Sequence, residues 1–395
     1  MAQGNDDTWV PFRPNADDLK ASAEDVSEIP AIQQKMLANH GVRCPDRVAH
    51  EYQIAGGKVI FKVANELPGP LQGVGLFQPG AEYVGIGRIS TCLGTPHIET
   101  NPDFLGVMLA FQTKDGQRVD FLGLNDPSAP TDNHRDFISV MHATGESAGA
   151  HIPLIGNWGE YDVADLAAVQ AEFGVALAGR MGPVKAGKTL LHLTSQTIRT
   201  FHSSTAYQAY WTGIEELGGI AGKFTLVPAQ DENRRPGFRP GERHLTQEWK
   251  ERQAKGDVVF QLYWISFLNQ NQTSTTELTK PWEEGHKQLV GTVQFPKMDL
   301  SSDETTLWAI LASEMGANPG NWIHDKENSI HEPSTEFGLA RKLAYRKSQE
   351  GRGALDPKSY QSVFETAQIG PDLAQELKRR QDIKAKAGHV NWAPA

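Results

Sequence analysis

The stretch from Tyr83 to Leu124 constrains this chain most, because it reads as three consecutive strands closed by one clear turn. In YVGIGRISTC, residues 83–92, Val84, Ile86, Arg88 and Ser90 alternate with their neighbours, so these four share one strand face. Val107 to Thr113 and Arg118 to Leu124 flank Lys114-Asp115-Gly116, where the Asp-Gly pair predicts a hairpin turn. Upstream, RVAHEYQIAGGKVIFKVANEL, residues 47–67, predicts two more strands, joined near Gly56-Gly57, the first carrying Arg47 and His50. On a regular strand positions 47 and 50 point to opposite faces, so a shared ligand requires a bend or bulge between them. Strands this closely spaced point to an antiparallel barrel or sandwich.

Later segments complete the pattern. Strands are expected at Phe224 to Pro228, Val258 to Leu268 and Gln288 to Phe295. A polar, Pro-containing arm leads into a short helix over Ile29 to Asn39 that ends at His40-Gly41. Phe137 opens a short helix that ends near ATGESAGA, residues 143–150, and 163–178 has helix composition. Further helices are expected over 303–315, over 334–352 and in the charged run after Gly370, with irregular passages at 228–241 and 318–333. Strands first and helices last, without β-α-β alternation, predict an α+β fold. The expected organisation is an N-terminal arm and short helix (1–40), one core domain (41–352) and a helical tail (353–395), the arm wrapping the core or a partner subunit of a homo-oligomer.

The chain is long enough to bury a large core, and its formal charge of −10 offers no broad basic surface, so nucleic acid is not expected as a partner. No run of 18 apolar residues exists to span a bilayer, and MAQGNDDTWVPFRPN lacks the apolar centre of a signal peptide. With only Cys44 and Cys92 there is no disulfide framework, and a cytoplasmic setting is expected. Gly182 to Thr189 matches the letters of a phosphate-binding loop, G-x-x-x-x-G-K-[ST]. A helix-like segment precedes it, and LLHLTSQTIRT after it reads as a strand, the reverse of the order a nucleotide site needs. A basic surface loop accounts for it, with a nucleotide-binding protein as the remote alternative.

The helix over 334–352 carries the oddest chemistry. At about 100° per residue, Gly338, Arg341, Tyr345, Ser348 and Arg352 fall on one stripe. A packing face would carry Leu, Ile and Val, whereas this one sets arginines on both sides of a tyrosine. A flat anionic group could lie along it, with Arg341 hydrogen-bonded to the phenol oxygen as support for an anionic donor and Arg352 holding a carboxylate. A surface helix with Arg and Tyr side chains lying along it has the same pattern. On the strands, His50, Arg88 and Ser90 singly read as polar residues of a barrel rim.

Taken together in their order, these residues resemble the haem catalase superfamily. Arg47-Val48-Ala49-His50 is similar to its R-V-x-H strand, Arg88-Ile89-Ser90 to its R-x-S segment, and Asp103-Phe104-Leu105-Gly106 with Asp115-Gly116 to the D-x-x-G segment and hairpin that follow. Arg341, Tyr345 and Arg352 resemble its R-x-x-x-Y helix with a further arginine seven residues on. The resemblance covers about residues 41–352 and is closest to the short catalase-related haem proteins. It implies haem b with Tyr345 as the iron ligand supported by Arg341, and His50 as the distal acid/base oriented by Ser90. It further implies propionates held by Arg47, Arg88 and Arg352, and an aromatic ring from Phe137 on the distal face. The activity implied is O–O cleavage of hydrogen peroxide or an organic hydroperoxide, with an organic substrate in addition. Alternatives are a hydroperoxide isomerase or lyase of the allene oxide synthase kind, or haem binding without turnover.

Two departures stand out. The distal asparagine of catalases aligns with Leu124, leaving Asn125 one position late, and the distal histidine is followed by Glu51-Tyr52 in place of small residues. Asn125 is a catalytic candidate only if the chain is shifted by one residue there. With Leu124 in the pocket, a peroxidase with weak catalase activity is expected.

Overall fold

In a computed structural model the described residues are 9, 11–39, 47–92, 99, 103–147, 163–198, 205–229, 244–321 and 335–387. Cys44, the expected helix end at His40-Gly41, most of the 228–241 loop and the 322–333 part of the irregular passage lie outside them.

The first element is α1 (Ala16–Asp25), a helix within the expected N-terminal arm; Asn15 and Asp18 form a capping box that satisfies its first backbone N–H groups. Then come α2 (Ile29–Asn39), β1 (Gln53–Val63), β2 (Glu82–Thr91), β3 (Leu105–Gln112), β4 (Arg118–Leu124), α3 (His134–Ser147), α4 (Val163–Met181) and α5 (Pro183–Ile198). The rest is β5 (Tyr210–Thr212), β6 (Glu215–Leu217), β7 (Ile220–Pro228), α6 (His244–Lys255), β8 (Val258–Ser266), β9 (Gln288–Phe295), α7 (Asp303–Glu314), α8 (Glu336–Arg352), α9 (Pro357–Thr366) and α10 (Pro371–Lys386).

All the strands join one antiparallel sheet in the order β5-β4-β3-β2-β1-β9-β8-β7-β6, and a further pairing of β5 with β7 closes eight of them into a barrel. The fold is therefore α+β with a closed barrel, one of the two architectures that the strand pattern allowed and the one that the resemblance implied. Alternation sorts the side chains. Val59, Phe61, Ile89, Leu109, Phe111, Phe121 and Phe224 fill the interior, where Phe121 and Phe224 meet edge to face at 5.1 Å. On the opposite face of β2, β3 and β4, Ile86, Met108, Ala110 and Leu122 pack under α7, α9 and α10. Both faces of this wall are thus buried, which puts its polar outward residues in a low-dielectric setting.

Three expectations fail for identifiable reasons. Gly56-Gly57 is not a turn but the middle of β1, pairing with Arg88 and Gly87 of β2; Gly56 is needed because a Cβ there would stand 2.5 Å from Gln53 Nε2. Residues 47–50 are not strand but an irregular entry into β1, in which His50 takes a left-handed φ of 60°. LLHLTSQTIRT belongs not to a strand but, through Ile198, to α5, whose Ala186 and Leu193 are buried at helical spacing. Gly182, with φ 81°, is the joint between two helices, so the strand–loop–helix cradle of a phosphate loop is not formed.

Candidate functional site

A cavity of about 180 Å³ lies between the outer face of the barrel wall and helices α3 and α8. Its geometry starts with a cross-strand row. Ser90 pairs with Gly106, Gly106 with Leu124 and Leu124 with Trp211, and all four line the cavity. Next to it, Arg88, Met108 and Leu122 form a second row on the same face.

His50 enters above this floor on its left-handed bend. Its N–H donates to Cys92 O (2.8 Å), and Arg88, only 3% exposed, grips the bend from below. Arg88 Nη2 donates to His50 O (2.6 Å) and Glu51 O (2.8 Å), and its Nε to Gln53 Oε1 (3.1 Å). A left-handed non-glycine residue costs about 1–3 kcal/mol and persists only where its surroundings hold it, which these charge-assisted bonds do. The imidazole Nδ1 pairs with Ser90 Oγ at 3.2 Å, while Nε2 lies 3.7 Å from Cys92 Sγ. Burial lowers the His50 pKa to about 3, reinforced by the positive charges of Arg88, Arg341 and Arg47, so the ring is neutral. Burial, with the Asp103 charge, raises the Cys92 thiol, so it too stays protonated.

Helix α8 supplies another wall. Thr335 caps it, accepting from Gly338 N at 3.0 Å, and left-handed Gly353 ends it. All five stripe residues, Gly338, Arg341, Tyr345, Ser348 and Arg352, line the cavity. Arg341 was expected to bond the phenol oxygen; it lies instead over the Tyr345 ring, at 5.9 Å from its centroid. The Tyr345 hydroxyl makes no hydrogen bond to a described residue. Arg47 and Arg352 converge on the last turn of α7: Arg47 Nη2 donates to Ser313 O and Met315 O (3.3 Å), and Arg352 Nη2 to Met315 O (2.9 Å). There they face the negative end of the helix dipole while still lining the cavity. Phe137 on α3 also lines it, edge-on to Phe337 at 5.5 Å.

One candidate does not join the others. Asn125 is turned away from the cavity: its Oδ1 accepts from Leu105 N (2.7 Å) and its Nδ2 donates to Gln208 Oε1 (3.0 Å), so its amide closes the barrel end. Leu124 takes the lining position because strand alternation puts it in the Ser90–Gly106 row. Sequence reasoning passed over Cys92, although it sits two residues beyond Ser90 on the same parity. It also passed over Lys223, Asp126 and Glu215, which line the cavity from β7, the loop after β4, and β6.

Four arginines and one lysine face the cavity against the carboxylates of Asp126 and Glu215, a positive lining in a chain of net charge −10. No cluster of three or more His, Cys, Asp or Glu able to hold a metal ion occurs among the described residues. The Tyr345 phenol and the guanidinium groups of Arg341 and Arg352 line the same cavity, a set chemically able to meet a flat anionic group.

No family model matches the sequence, and no curated protein does. Solved structures do. A fungal catalase is similar over 82% of this chain and 61% of its own, with TM-score 0.60 and 16% identity. A bacterial catalase is similar over 78% and 58% (TM-score 0.56, 16% identity), and catalase A from Saccharomyces cerevisiae over 82% and 63% (TM-score 0.57, 14% identity). The chain spans about three fifths of the length of each. The chain has a catalase-like fold, as the sequence resemblance implied.

Proposed function

We propose that this chain binds haem b and activates hydrogen peroxide or an organic hydroperoxide by O–O cleavage, as a peroxidase with weak catalase activity. The observation that carries this reading is the meeting, around one cavity, of the neutral His50–Ser90 pair and the whole Arg341–Tyr345–Arg352 stripe. Haem would supply an iron centre able to exchange electrons with a peroxide bond. Tyr345 would hold the iron through its phenol oxygen, and Arg47, Arg88 and Arg352 would meet the propionates while keeping their carbonyl partners.

The protein's own part is proton movement and exclusion of water. His50 is neutral, so it can take the proton from one peroxide oxygen and return it to the other as the bond opens. Ser90 Oγ engages Nδ1, which leaves Nε2 as the nitrogen for that proton. Leu124 offers no hydrogen bond to a second peroxide and favours apolar hydroperoxides. The same apolar wall suits a hydroperoxide isomerase or lyase, which product analysis separates from a peroxidase.

The test is the absorption spectrum of the purified full chain. Haem in near one-to-one ratio with a high-spin ferric, tyrosinate-type spectrum is expected, and Tyr345→Phe should lose haem or change that spectrum. A fully loaded Tyr345→Phe protein with an unchanged spectrum would overturn the ligand assignment.

A further inference from the structure

Part of the cavity wall has no task in proton movement or haem retention: Asp126, Ile214, Glu215, Lys223, Leu278 and Phe337. These residues belong together. Ile214, Leu278 and Phe337 share one apolar cluster with Trp282, and Lys223 Nζ lies 5.0 Å from the Trp282 ring. The loop after β4 closes over them, with Ala129 N donating to Leu278 O (2.8 Å) and Lys223 Nζ donating to Pro127 O at 3.3 Å.

Lys223 is the unusual member. Its place on β7, next to inward-facing Phe224, turns it outward toward the cavity, where it is only 5% exposed. An ammonium has three N–H donors, yet one carbonyl and one indole face are its contacts among the described residues, and no described carboxylate forms an ion pair with it. Burying a charge so thinly solvated is costly unless a partner arrives. Burial lowers the amine to about 8 even though Asp126 and Glu284 pull it upward.

The geometry points to this wall as the seat of an organic substrate with an apolar body and a single carboxylate, the carboxylate on Lys223 and the body against Ile214, Leu278 and Phe337. The assignment rests on the peroxidase reading only for what happens to that molecule. Asp126 and Glu215 on the same wall set the preference for one negative charge, because they oppose a second.

The probe is octanoate, with neutral octanamide as its match, titrated calorimetrically into the full-length protein in haem-loaded and haem-free form. Octanoate should bind, octanamide weakly, and Lys223→Gln should weaken octanoate by about tenfold or more while leaving octanamide and haem content unchanged. Asp126→Asn, which keeps the oxygen that accepts from Ser128 N (2.9 Å) and removes the charge, should tighten octanoate severalfold. It also keeps the test decisive if Lys223→Gln does not fold. Saturable octanoate binding that is absent from the wild type, or equal in wild type and both variants, would overturn the assignment. So would haem loss in Lys223→Gln with octanoate unaffected, which would put Lys223 on the haem instead. A protein that takes up no haem but binds octanoate through Lys223 would sink the haem reading alone.

Discussion

Gly106 and His50 fit together only because Gly106 has no side chain: a Cβ at 106 would stand 2.3 Å from His50 Cε1 and 2.4 Å from Nδ1. The imidazole lies directly on the β3 backbone, and Ser90 lines the cavity beside it. Gly106→Ala should therefore tilt the ring out of position while the interior side of the barrel is untouched. The expected result is a peroxide rate lower by about 10², the scale of a positioned acid/base, with haem content preserved. Rapid mixing of the haem-loaded variant with peroxide checks it, and a wild-type rate would show that the ring's place on β3 does not matter.

The charge state of His50 gives a pH prediction. With its pKa at about 3, the imidazole is neutral across the physiological range, so peroxide turnover should lack the acid limb near about pH 6.5 that an unperturbed histidine produces. The sign for stability follows from linkage. The unfolded chain binds a proton there below about pH 6.5, the folded one only near 3, so the stability is fully present above that range and is lost as pH falls through it. Chemical denaturation of haem-free wild type and His50→Gln between pH 7 and 4 should show the wild type losing more.

The arginines separate by what they grip. Arg47 and Arg352 hold the end of α7, so Arg47→Ala and Arg352→Ala should lose haem on gel filtration and lower stability by about 1–2 kcal/mol each. The haem they retain should react with peroxide at the normal rate. Arg88→Ala frees the carbonyls of His50 and Glu51, so the haem it retains should react more slowly as well. Equal rates per haem in all three variants would refute the assignment of Arg88 as the latch of the bend.

Much of this site was legible because periodicity reports which residues share a face. A period of two put Arg88 and Ser90 together on β2, and a period of 3.6 put Arg341, Tyr345 and Arg352 together on α8, and these residues do line one cavity. That a ligand shared by Arg47 and His50 requires a bend was legible from strand geometry, but the way the bend is held was not, because Arg88 holds it through backbone carbonyls brought close by the barrel and not by any local signal. Gly56-Gly57 misled for a related reason: the glycine serves the close approach of the Gln53 amide, which only the folded strand creates. The Lys223 wall draws on β7, β6, the 126–130 loop and α8, a juxtaposition that no single stretch announces.

Leu124 carries the last prediction. Its pairing with Gly106 puts an isobutyl group in the row that Ser90 begins, while the neighbouring Asn125 amide is occupied by Leu105 N and Gln208. Oxygen evolution from hydrogen peroxide should therefore be weak in the wild type, and turnover better with an organic hydroperoxide. Leu124→Asn places an amide donor on the cavity wall and should raise oxygen evolution. Asn125→Ala should leave the peroxide rate unchanged but cost about 1–3 kcal/mol of stability, because it strips a buried backbone N–H of its acceptor. An oxygen electrode and a denaturation curve on the three proteins decide the matter: fast oxygen evolution in the wild type, abolished by Asn125→Ala, would mean that Asn125 and not Leu124 works over the substrate.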